Sequence, residues 1–450
     1  MLQASEYQLG EYLRWYQATN DFSHVEHRKQ LVKTPKVIIL LIKAWAIVFL
    51  LLGLAVWLHS FWSIIIVFLL PYLLAYLMIA PVFLLKILVQ RPTEIILMNR
   101  ARKIFQDNPA IKIAVAGSFG KTTMREILKT VLAEGKTVVA PPHSYNTPLG
   151  ICQFAKTLRG DEEVIIFELG ESHPGDVKEL CKLTQPEIGV ITGINEAHLE
   201  KFKTLERTIK TIFELADYLG DRPLYVNGES KLAKEHARLN QILYSRSAVA
   251  DFVITNSTTD LSGTAFTLTS GNIKLDLKSK LLGLHQIGPL AAACHLALKL
   301  GLTPEQVITG ISKTKPFDHR LEPKIDASGV VTLDDSYNGN PDGVRAVIEF
   351  LSSLHSGRRF YVTPGLVEIG KTTQQVHESI GQSLAEAGIE KVVLIKNSVT
   401  PYIESGLKKA DFAGEIIWFQ DALTAFATLP HLTVKGDIVL LQNDWPDQYR

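Results

Sequence analysis

Three features that the chain lacks limit what it can be. It has only three cysteines in 450 residues, Cys152, Cys181 and Cys294, whose odd number and wide spacing argue against a disulfide scaffold and against a cysteine metal site. It has no excess of either charge, since 47 Lys and Arg face 46 Asp and Glu, so we expect no nucleic-acid partner. It shows no internal repeat or low-complexity tract. A chain of this length is expected to form about three folded units.

Long apolar segments are abundant near the N-terminus. Residues 37–58 carry one charge, Lys43, and residues 61–85 carry none, so each segment is long enough to cross a hydrocarbon core of about 30 Å as a helix. Basic residues flank both outer ends, which favours a cytoplasmic location for both. The sequence therefore predicts a cytoplasmic or interfacial segment over 1–36 and a transmembrane helical hairpin over 37–90. The alternative is a pair of long buried helices in a soluble core.

A glycine-rich loop follows the basic flank. Residues 111–116 (IKIAVA) have the composition of a strand, GSFGKTT occupies 117–123, and the next apolar residues recur at helical spacing. Strand, glycine loop and helix together are typical of a phosphate-binding loop, in which Lys121 reaches the terminal phosphates and Thr122 can bind Mg²⁺. Val115 stands where the strict pattern has glycine. The alternative is a chance Gly-Lys-Thr turn.

Polar side chains follow two further strand-like runs. Glu168 ends the run at 164–167, and His198 follows the run at 188–194. A carboxylate at the carboxyl end of a buried strand is a natural Mg²⁺ ligand, because ligands of α/β folds bind at that edge. A lone histidine is more often a surface residue than a ligand. A functional role for His198 is favoured only because polar residues follow more than one of the predicted strands.

Four motifs in order carry a family resemblance. GSFGKTT, FELGESHPGD, TGINEAHLEKF and DDSYNGNP, within about residues 111 to 437, resemble the Mur ligases, the ATP-dependent amide ligases of peptidoglycan synthesis. Within that family the motifs are most similar to the MurF type, which adds D-alanyl-D-alanine to UDP-N-acetylmuramoyl-tripeptide. The resemblance implies an α/β fold with a P-loop central domain over 104–315 and a Rossmann-like C-terminal ligase domain over 319–450. Alternating strand-like and helical runs after residue 328 agree with a second parallel α/β domain.

The resemblance also implies the site and its cofactors, ATP and Mg²⁺. Lys121, Glu168 and His198 would be catalytic, and Thr122, Glu168 and His198 would hold the metal. The ATP contacts would be Gly117, Ser118, Gly120, Lys121, Thr122, Thr123, Asn227, Gln286, Arg320 and Asp335, and the substrate contacts Asn146, Thr147, Tyr337, Asn338 and Asn340. The family's histidine at position 377 is expected on a helix surface. The general base is not identified.

The chemistry that the resemblance implies joins a carboxylate to an amine. The carboxylate attacks the γ-phosphate of ATP to give an acyl phosphate, which the amine displaces, leaving ADP and phosphate. The expected partners are a lipid-linked or UDP-linked cell-wall precursor, an amino acid or dipeptide, and membrane lipid. We expect a multi-pass membrane protein with its catalytic domains in the cytoplasm.

Two departures from the family pattern leave alternatives open. Ile212 stands where most members carry a carbamylated lysine, and Lys210 lies about 200° away around a helix. The apolar hairpin also replaces the usual N-terminal domain, so a membrane-associated acceptor is our hypothesis. A tethered polyglutamate or folylpolyglutamate-type ligase and a non-catalytic nucleotide-binding scaffold are the alternative functions.

Overall fold

The computed structural model describes residues 9–18, 32–58, 65, 69, 76–77, 79–142, 145–195, 202, 204–336, 339–366 and 369–442. The chain divides into two compact units, Met1–Asn99 and Arg100–Arg450.

One helix of the first unit has the length and composition of a membrane span. Helix α2 (Pro35–Leu58) contains the 21-residue segment Val37–Trp57, with a mean hydropathy of 2.8. Only 11% of the apolar stretch of this helix is buried, whereas a core helix of a soluble protein is mostly buried. The second predicted span, residues 61–85, lies mostly outside the described residues and stays a prediction. Further helical segments among the described residues are α1 (Leu9–Ala18), α3 (Ile79–Leu85), a π-helical turn (Lys86–Gln90) and α4 (Arg91–Asp107), which continues into the second unit.

The second unit begins with a parallel sheet. Its strands are short apolar runs, many of them wholly buried, as expected where helices cover both faces of a parallel sheet. Strand β1 lies between β3 and β4 and is parallel to both, which brings three carboxyl ends to one edge. The parallel strands are β1 (Ile111–Ala116), β2 (Val138–Val139), β3 (Val164–Glu168), β4 (Ile188–Ile191), β5 (Leu224–Asn227) and β6 (Ile242–Tyr244).

An antiparallel extension continues the same sheet. In its last strand Leu275 and Leu277 are buried while Lys274 and Asp276 are exposed, the period-two pattern of a sheet with one covered face. Sequence analysis did not anticipate this extension, although its alternation was a usable signal. Among the described residues the order is β10-β9-β8-β7-β6-β5-β4-β1-β3-β2. The added strands are β7 (Ala248–Val249), β8 (Phe252–Asp260), β9 (Gly263–Ser270) and β10 (Ile273–Ser279).

Helices alternate with the parallel strands of this ten-stranded domain. Helix α5 carries the apolar stripe that the sequence predicts, with Met124, Ile127, Leu128 and Val131 all buried. The helices are α5 (Lys121–Leu132), α6 (Pro148–Ala155), α7 (Asp176–Thr184), α8 (Leu205–Leu219), α9 (Lys231–His236), α10 (Ile287–Lys299) and α11 (Pro304–Lys313), with a 3₁₀ turn at Leu284–Gln286.

A second sheet follows, with the order β11-β12-β16-β13-β14-β15 among the described residues. All pairs are parallel except β11–β12, so the expectation of a second α/β domain is confirmed. Its strands are β11 (Glu322–Ile325), β12 (Val331–Asp335), β13 (Arg359–Thr363), β14 (Lys391–Ile395), β15 (Glu415–Phe419) and β16 (Ile438–Gln442). Its helices are α12 (Pro341–Ser352), α13 (Thr373–Glu386), α14 (Thr400–Lys409) and α15 (Ala422–Leu432), with a 3₁₀ turn at Gly370–Thr372.

One sequence expectation in this domain is wrong. His377 is fully buried rather than on a helix surface. Its Nδ1 donates to the Thr373 carbonyl at 2.6 Å, and its Nε2 accepts from the Leu366 amide at 2.9 Å. Because burial penalises the imidazolium, the pKa of His377 lies below its ordinary value. His377 therefore ties the segment before α13 to that helix.

Candidate functional site

The glycine loop connects β1 to α5 at the carboxyl edge of the parallel sheet. Gly117 has φ +144°, and a side chain there would place Cβ 2.3 Å from Thr192 Oγ1, so only glycine fits. Gly120 adopts the left-handed φ of +74° as the N-cap of α5. The Ser118 amide donates to the Gly193 carbonyl at 2.8 Å, which fixes the loop against the end of β4. The predicted strand, loop and helix are confirmed.

Lys121 forms a buried ion pair in the first turn of α5. Its Nζ donates to both carboxylate oxygens of Glu171 at 2.8 Å and also contacts the Gly117 carbonyl. The Lys121 side chain is 13% exposed and that of Glu171 is 2% exposed. Sequence analysis missed Glu171, although it is a second acid three residues beyond the end of β3.

The Glu168 carboxylate, at the end of β3, accepts hydrogen bonds from three side chains. Its Oε2 accepts from Thr122 Oγ1 at 3.0 Å and from Arg125 Nη1 at 3.2 Å, and its Oε1 accepts from Asn146 Nδ2 at 3.4 Å. The structure thus brings together three predicted residues, Thr122, Asn146 and Glu168. Arg125 was missed, because a basic residue one turn into a helix has no distinguishing signal. A hydroxyl beside a carboxylate is an oxygen donor set that suits Mg²⁺.

Other predicted residues lie outside the described part of the chain. These are His198 and two substrate candidates, Tyr337 and Asn338. Among the described residues, no three His, Cys, Asp or Glu side chains come together to hold a metal ion. Thr123 lies in the first turn of α5, whereas Thr147 acts as the N-cap of α6, its Oγ1 accepting from the Gly150 amide at 3.4 Å.

Asn227 supports the phosphate loop through one intermediate. It ends β5, and its Nδ2 donates to the Thr192 carbonyl at 2.7 Å. The Thr192 hydroxyl in turn donates to the Phe119 carbonyl of the loop and contacts the Ala116 carbonyl at the end of β1. Gln286 lies in the 3₁₀ turn before α10, with its Nε2 2.9 Å from Nε2 of His285. Within the described part of the chain, no hydrogen bond joins the Gln286 side chain to the phosphate loop.

A buried amide connects the two sheet domains. Asn195 follows β4 and is 2% exposed. Its Nδ2 donates to Asn340 Oδ1 at 2.9 Å and to Asp342 Oδ2 at 2.8 Å. Asn340 also accepts from the Gly343 amide as the N-cap of α12. The structure therefore brings one predicted substrate residue of the C-terminal domain to the strand edge, through an asparagine that sequence analysis missed.

Asp335 ends β12 in a crowded environment. Its Oδ2 accepts from Gln442 Nε2 at 2.5 Å. Burial raises the pKa of Asp335 to about 6, an effect that the charge of Arg320 opposes and that of Asp334 reinforces. Arg320 sits between His319 and Leu321, both of which have positive φ values, 60° and 49°. Arg320 and Asp335, predicted together, are electrostatic neighbours.

Ile212 is fully buried in α8, which packs against α7 and β4. The side chain at this position therefore belongs to the hydrophobic interior. The neighbouring Lys210 is exposed, in agreement with its expected position around the helix.

Two family profiles match the chain. The Mur ligase middle domain matches residues 115–297, and the Mur ligase, glutamate ligase domain matches residues 319–442. The first begins within β1 and includes the phosphate loop, and the second begins beside Arg320 and ends with β16.

Individual relatives agree with these profiles. A UDP-N-acetylmuramoyl-tripeptide–D-alanyl-D-alanine ligase of Escherichia coli (strain K12) is 26% identical over 316 residues, 68% of this chain and 69% of the relative. The enzyme of the same name from Mycobacterium bovis (strain ATCC BAA-935 / AF2122/97) is 28% identical over 294 residues, 63% of this chain and 58% of the relative, so the chain spans less than two thirds of that protein.

A solved structure shows the same fold. The MurF ligase of Thermotoga maritima in complex with ADP superimposes with a TM-score of 0.68 at 23% identity, covering 78% of this chain and 80% of that chain. Both domains, their order and the phosphate loop between β1 and α5 are thus accounted for, and the chain belongs to the Mur ligase family, the ATP-dependent ligases of cell-wall precursors.

Proposed function

We propose that this chain is an ATP-dependent amide ligase of the MurF type that acts on a peptidoglycan precursor through an acyl phosphate. One observation carries the proposal. The phosphate loop presents Lys121 and Thr122 at the start of α5, and Thr122 Oγ1 lies 3.0 Å from the buried carboxylate of Glu168. A site of this kind stabilises charge on a phosphoryl group during transfer.

The residues present fit ATP and Mg²⁺. An added Cβ at Gly117 would collide with Thr192, so the loop can lie against the end of β4 only with glycine there. The first backbone amides of α5, which have no carbonyl partner within the helix, would bind phosphate oxygens. Thr122 and Glu168 supply oxygen ligands for Mg²⁺, and His198 is the third ligand in the proposal. When bound, ATP and Mg²⁺ supply the phosphoryl group and neutralise its charge. Lys121 orients the terminal phosphates.

The remaining site residues are proposed to contact either the nucleotide or the substrate. The loop residues Gly117, Ser118, Gly120 and Thr123 would cradle phosphates, and Asn146, beside Glu168, would contact the carboxylate substrate. The C-terminal domain, over 319–450, would bring its own residues to the central domain, over 104–315, as Asn340 already does through Asn195. The proposed nucleotide contacts are Asn227, Gln286, Arg320 and Asp335, and the proposed substrate contacts also include Thr147, Tyr337, Asn338 and Asn340.

The substrates follow from the relatives. Their names specify UDP-N-acetylmuramoyl-tripeptide and D-alanyl-D-alanine, and we propose a muramoyl peptide and an amino acid or dipeptide here. The apolar helix α2 supports a membrane tether, and residues 61–85 would complete a hairpin with both catalytic domains in the cytoplasm. A tethered ligase lies close to lipid-linked precursors, so the acceptor would be lipid-linked.

The activity test uses the full-length chain in lipid nanodiscs. We expect ADP release that depends on UDP-linked or lipid-linked muramoyl tripeptide together with D-alanyl-D-alanine, and a product heavier by that dipeptide in mass spectrometry. Lys121→Ala should abolish both signals. The matched control is Lys129→Ala, which removes an exposed lysine from the last turn of the same helix. ADP release that survives Lys121→Ala would contradict the proposal.

The tether and the acceptor need separate measurements. An integral membrane chain remains in the membrane fraction after alkaline carbonate extraction, whereas release of the whole chain would exclude the tether. Preference for the soluble UDP-linked precursor in intact membranes would exclude a lipid-linked acceptor.

A non-catalytic scaffold is the second candidate function. The buried Ile212 stands where most family members carry a carbamylated lysine, so the carboxylate of that group is missing from the metal site. Nucleotide binding without ADP release for any carboxylate and amine pair would favour the scaffold. ADP release with glutamate and a polyglutamate acceptor would instead favour the folylpolyglutamate-type alternative.

A further inference from the structure

The second carboxylate of the site, Glu171, has no role in the function proposed above. It lies beyond the end of β3, and its side chain is 2% exposed. Both of its oxygens lie 2.8 Å from Lys121 Nζ, in the geometry of a complete ion pair. Glu168, by contrast, is engaged by Thr122, Arg125 and Asn146. The two buried acids at and just beyond the end of β3 therefore bind different partners.

A phosphate ligand must compete for the same ammonium group. Lys121 is the cation that the loop offers to terminal phosphates, and Glu171 already holds it. Withdrawing Lys121 toward phosphate would break its ion pair with the Glu171 carboxylate, which is costly in a poorly solvated site. The Glu171 carboxylate would also lie close to the negative charges of the nucleotide phosphates. Repulsion between these like charges is strong where water is excluded.

We infer that Glu171 is an internal counter-ion that pairs with Lys121 and competes with nucleotide phosphates for it. The competition weakens binding of metal-free nucleotide most, because a divalent cation beside Glu168 offsets the negative charge of Glu171 when Lys121 moves to the phosphates. Glu171 thus couples nucleotide binding to the presence of Mg²⁺. The inference rests on nucleotide binding at this loop, as proposed above.

The test measures ADP affinity by isothermal titration calorimetry with the full-length chain in nanodiscs, once with EDTA and once with excess Mg²⁺. Glu171→Gln keeps the size of the side chain and removes its charge. We expect metal-free ADP to bind this variant about tenfold more tightly than wild type, with a smaller gain in Mg²⁺. Mg²⁺ should therefore improve ADP affinity less in the variant than in wild type.

Two further variants sharpen the result. Glu179→Gln makes the same charge change at an exposed position in α7 and should leave both affinities unchanged. Glu171→Asp keeps the charge but withdraws the carboxylate from Lys121. It should give a smaller gain for metal-free ADP, and it keeps the inference testable if Glu171→Gln does not fold.

Three outcomes overturn the inference. Metal-free ADP that binds the Glu171 variants no more tightly than wild type excludes competition, and leaves the proposed function intact. Weaker binding of ADP with Mg²⁺ to Glu171→Gln, with metal-free affinity unchanged, would make Glu171 a metal ligand instead. Absence of ADP binding in wild type and variants alike overturns both this inference and the proposed function.

Discussion

At the scale of single residues, the carboxylates of the site differ in the groups that surround them. Glu168 accepts hydrogen bonds from a hydroxyl, a guanidinium and an amide, while Glu171 faces the ammonium of Lys121. Asp335 has Arg320 nearby, yet burial dominates and raises its pKa to about 6. A carboxylate whose ionised form is disfavoured in the folded state lowers the stability of the protein at neutral pH.

Asp335→Asn should therefore stabilise the protein at pH 7.5. The folded-state pKa of about 6 exceeds the ordinary value of 3.8, so the stabilising contribution of Asp335 is present below pH 3.8 and is lost as pH rises through 6. The amide keeps the Gln442 contact without the buried charge, and we expect a gain of roughly 1–3 kcal/mol at pH 7.5. Thermal unfolding of both proteins from pH 4.5 to 8 measures it. A difference that does not shrink toward pH 4.5 would contradict the assignment.

A lysine at position 212 is expected to destabilise the folded protein. Ile212→Val should cost about 0.5–1.5 kcal/mol, as for other buried methylene deletions. Ile212→Lys should cost at least about 3 kcal/mol, because an ammonium group would be buried without a carboxylate partner. Lys210→Ala, at an exposed position of the same helix, is the control and should have little effect. Thermal unfolding would refute this expectation if Ile212→Lys proved as stable as Ile212→Val.

At the scale of elements, the phosphate loop depends on how α5 is supported from behind. Helix α11 packs against α5, and the Thr-Pro-Glu-Gln sequence at its start forms the capping box that this spacing predicts. Gln306 also donates to the Glu134 carbonyl just after α5. At the crossing point stands Gly310, where an added Cβ would lie 2.8 Å from Val131 Cα. The helices meet closely because this position has no side chain.

Gly310→Ala is therefore expected to destabilise the protein. Glycine to alanine inside a helix normally stabilises by roughly 0.5–1 kcal/mol, so a loss of stability would report the close approach. We expect a net loss of about 1–3 kcal/mol, since Val131 contributes backbone atoms that cannot move aside. Thr309→Ala, one residue away and exposed, is the control. A rise in the unfolding temperature of Gly310→Ala would show that the two helices separate freely.

At the scale of the second unit, polar contacts made by Asn195 and Arg246 join its sheet domains in the described part of the chain. Asn195 donates to Asn340 and Asp342 in a buried position, and Arg246 bridges Glu229 and Glu349 at the surface. Exposed ion pairs contribute little, about 0–1 kcal/mol, whereas a buried hydrogen-bonding group left unpaired costs roughly 1–3 kcal/mol. The buried amide is therefore expected to decide how firmly α12 is held at the strand edge.

Asn195→Ala should loosen the contact between the domains more than Arg246→Ala. Hydrogen exchange followed by mass spectrometry should show several-fold faster exchange in the first turn of α12 for Asn195→Ala, and a small change for Arg246→Ala. Arg238→Ala is the control, because Arg238 pairs with Asp217 inside the ten-stranded domain. Equal exchange in all three variants would mean that the two domains are held together by other contacts.

Local sequence was informative where function depends on neighbours in the chain. The glycine loop, the strand before it and the helix after it are contiguous, and Glu168 was found because a strand end is visible as a change from apolar to polar residues. The C-terminal α/β domain followed from alternating strand-like and helical runs, and the central domain from the phosphate loop and the family resemblance. The antiparallel extension β7–β10 and the edge strand β15 were missed, and His377 was placed wrongly, because burial depends on packing rather than on position in a helix.

The sequence by itself determined the phosphate loop, the family and an apolar helix of membrane-spanning length, because each is recorded in contiguous residues or in ordered motifs. Only the tertiary structure decided that Lys121 pairs with Glu171, that Arg125 joins Glu168 and that Asn195 reaches Asn340. The first two pairs are brought together by the order of parallel strands, which places distant segments at one edge of a sheet, and the third by the packing of the C-terminal domain against that edge. Pairwise contacts of that kind leave no local signal in the chain.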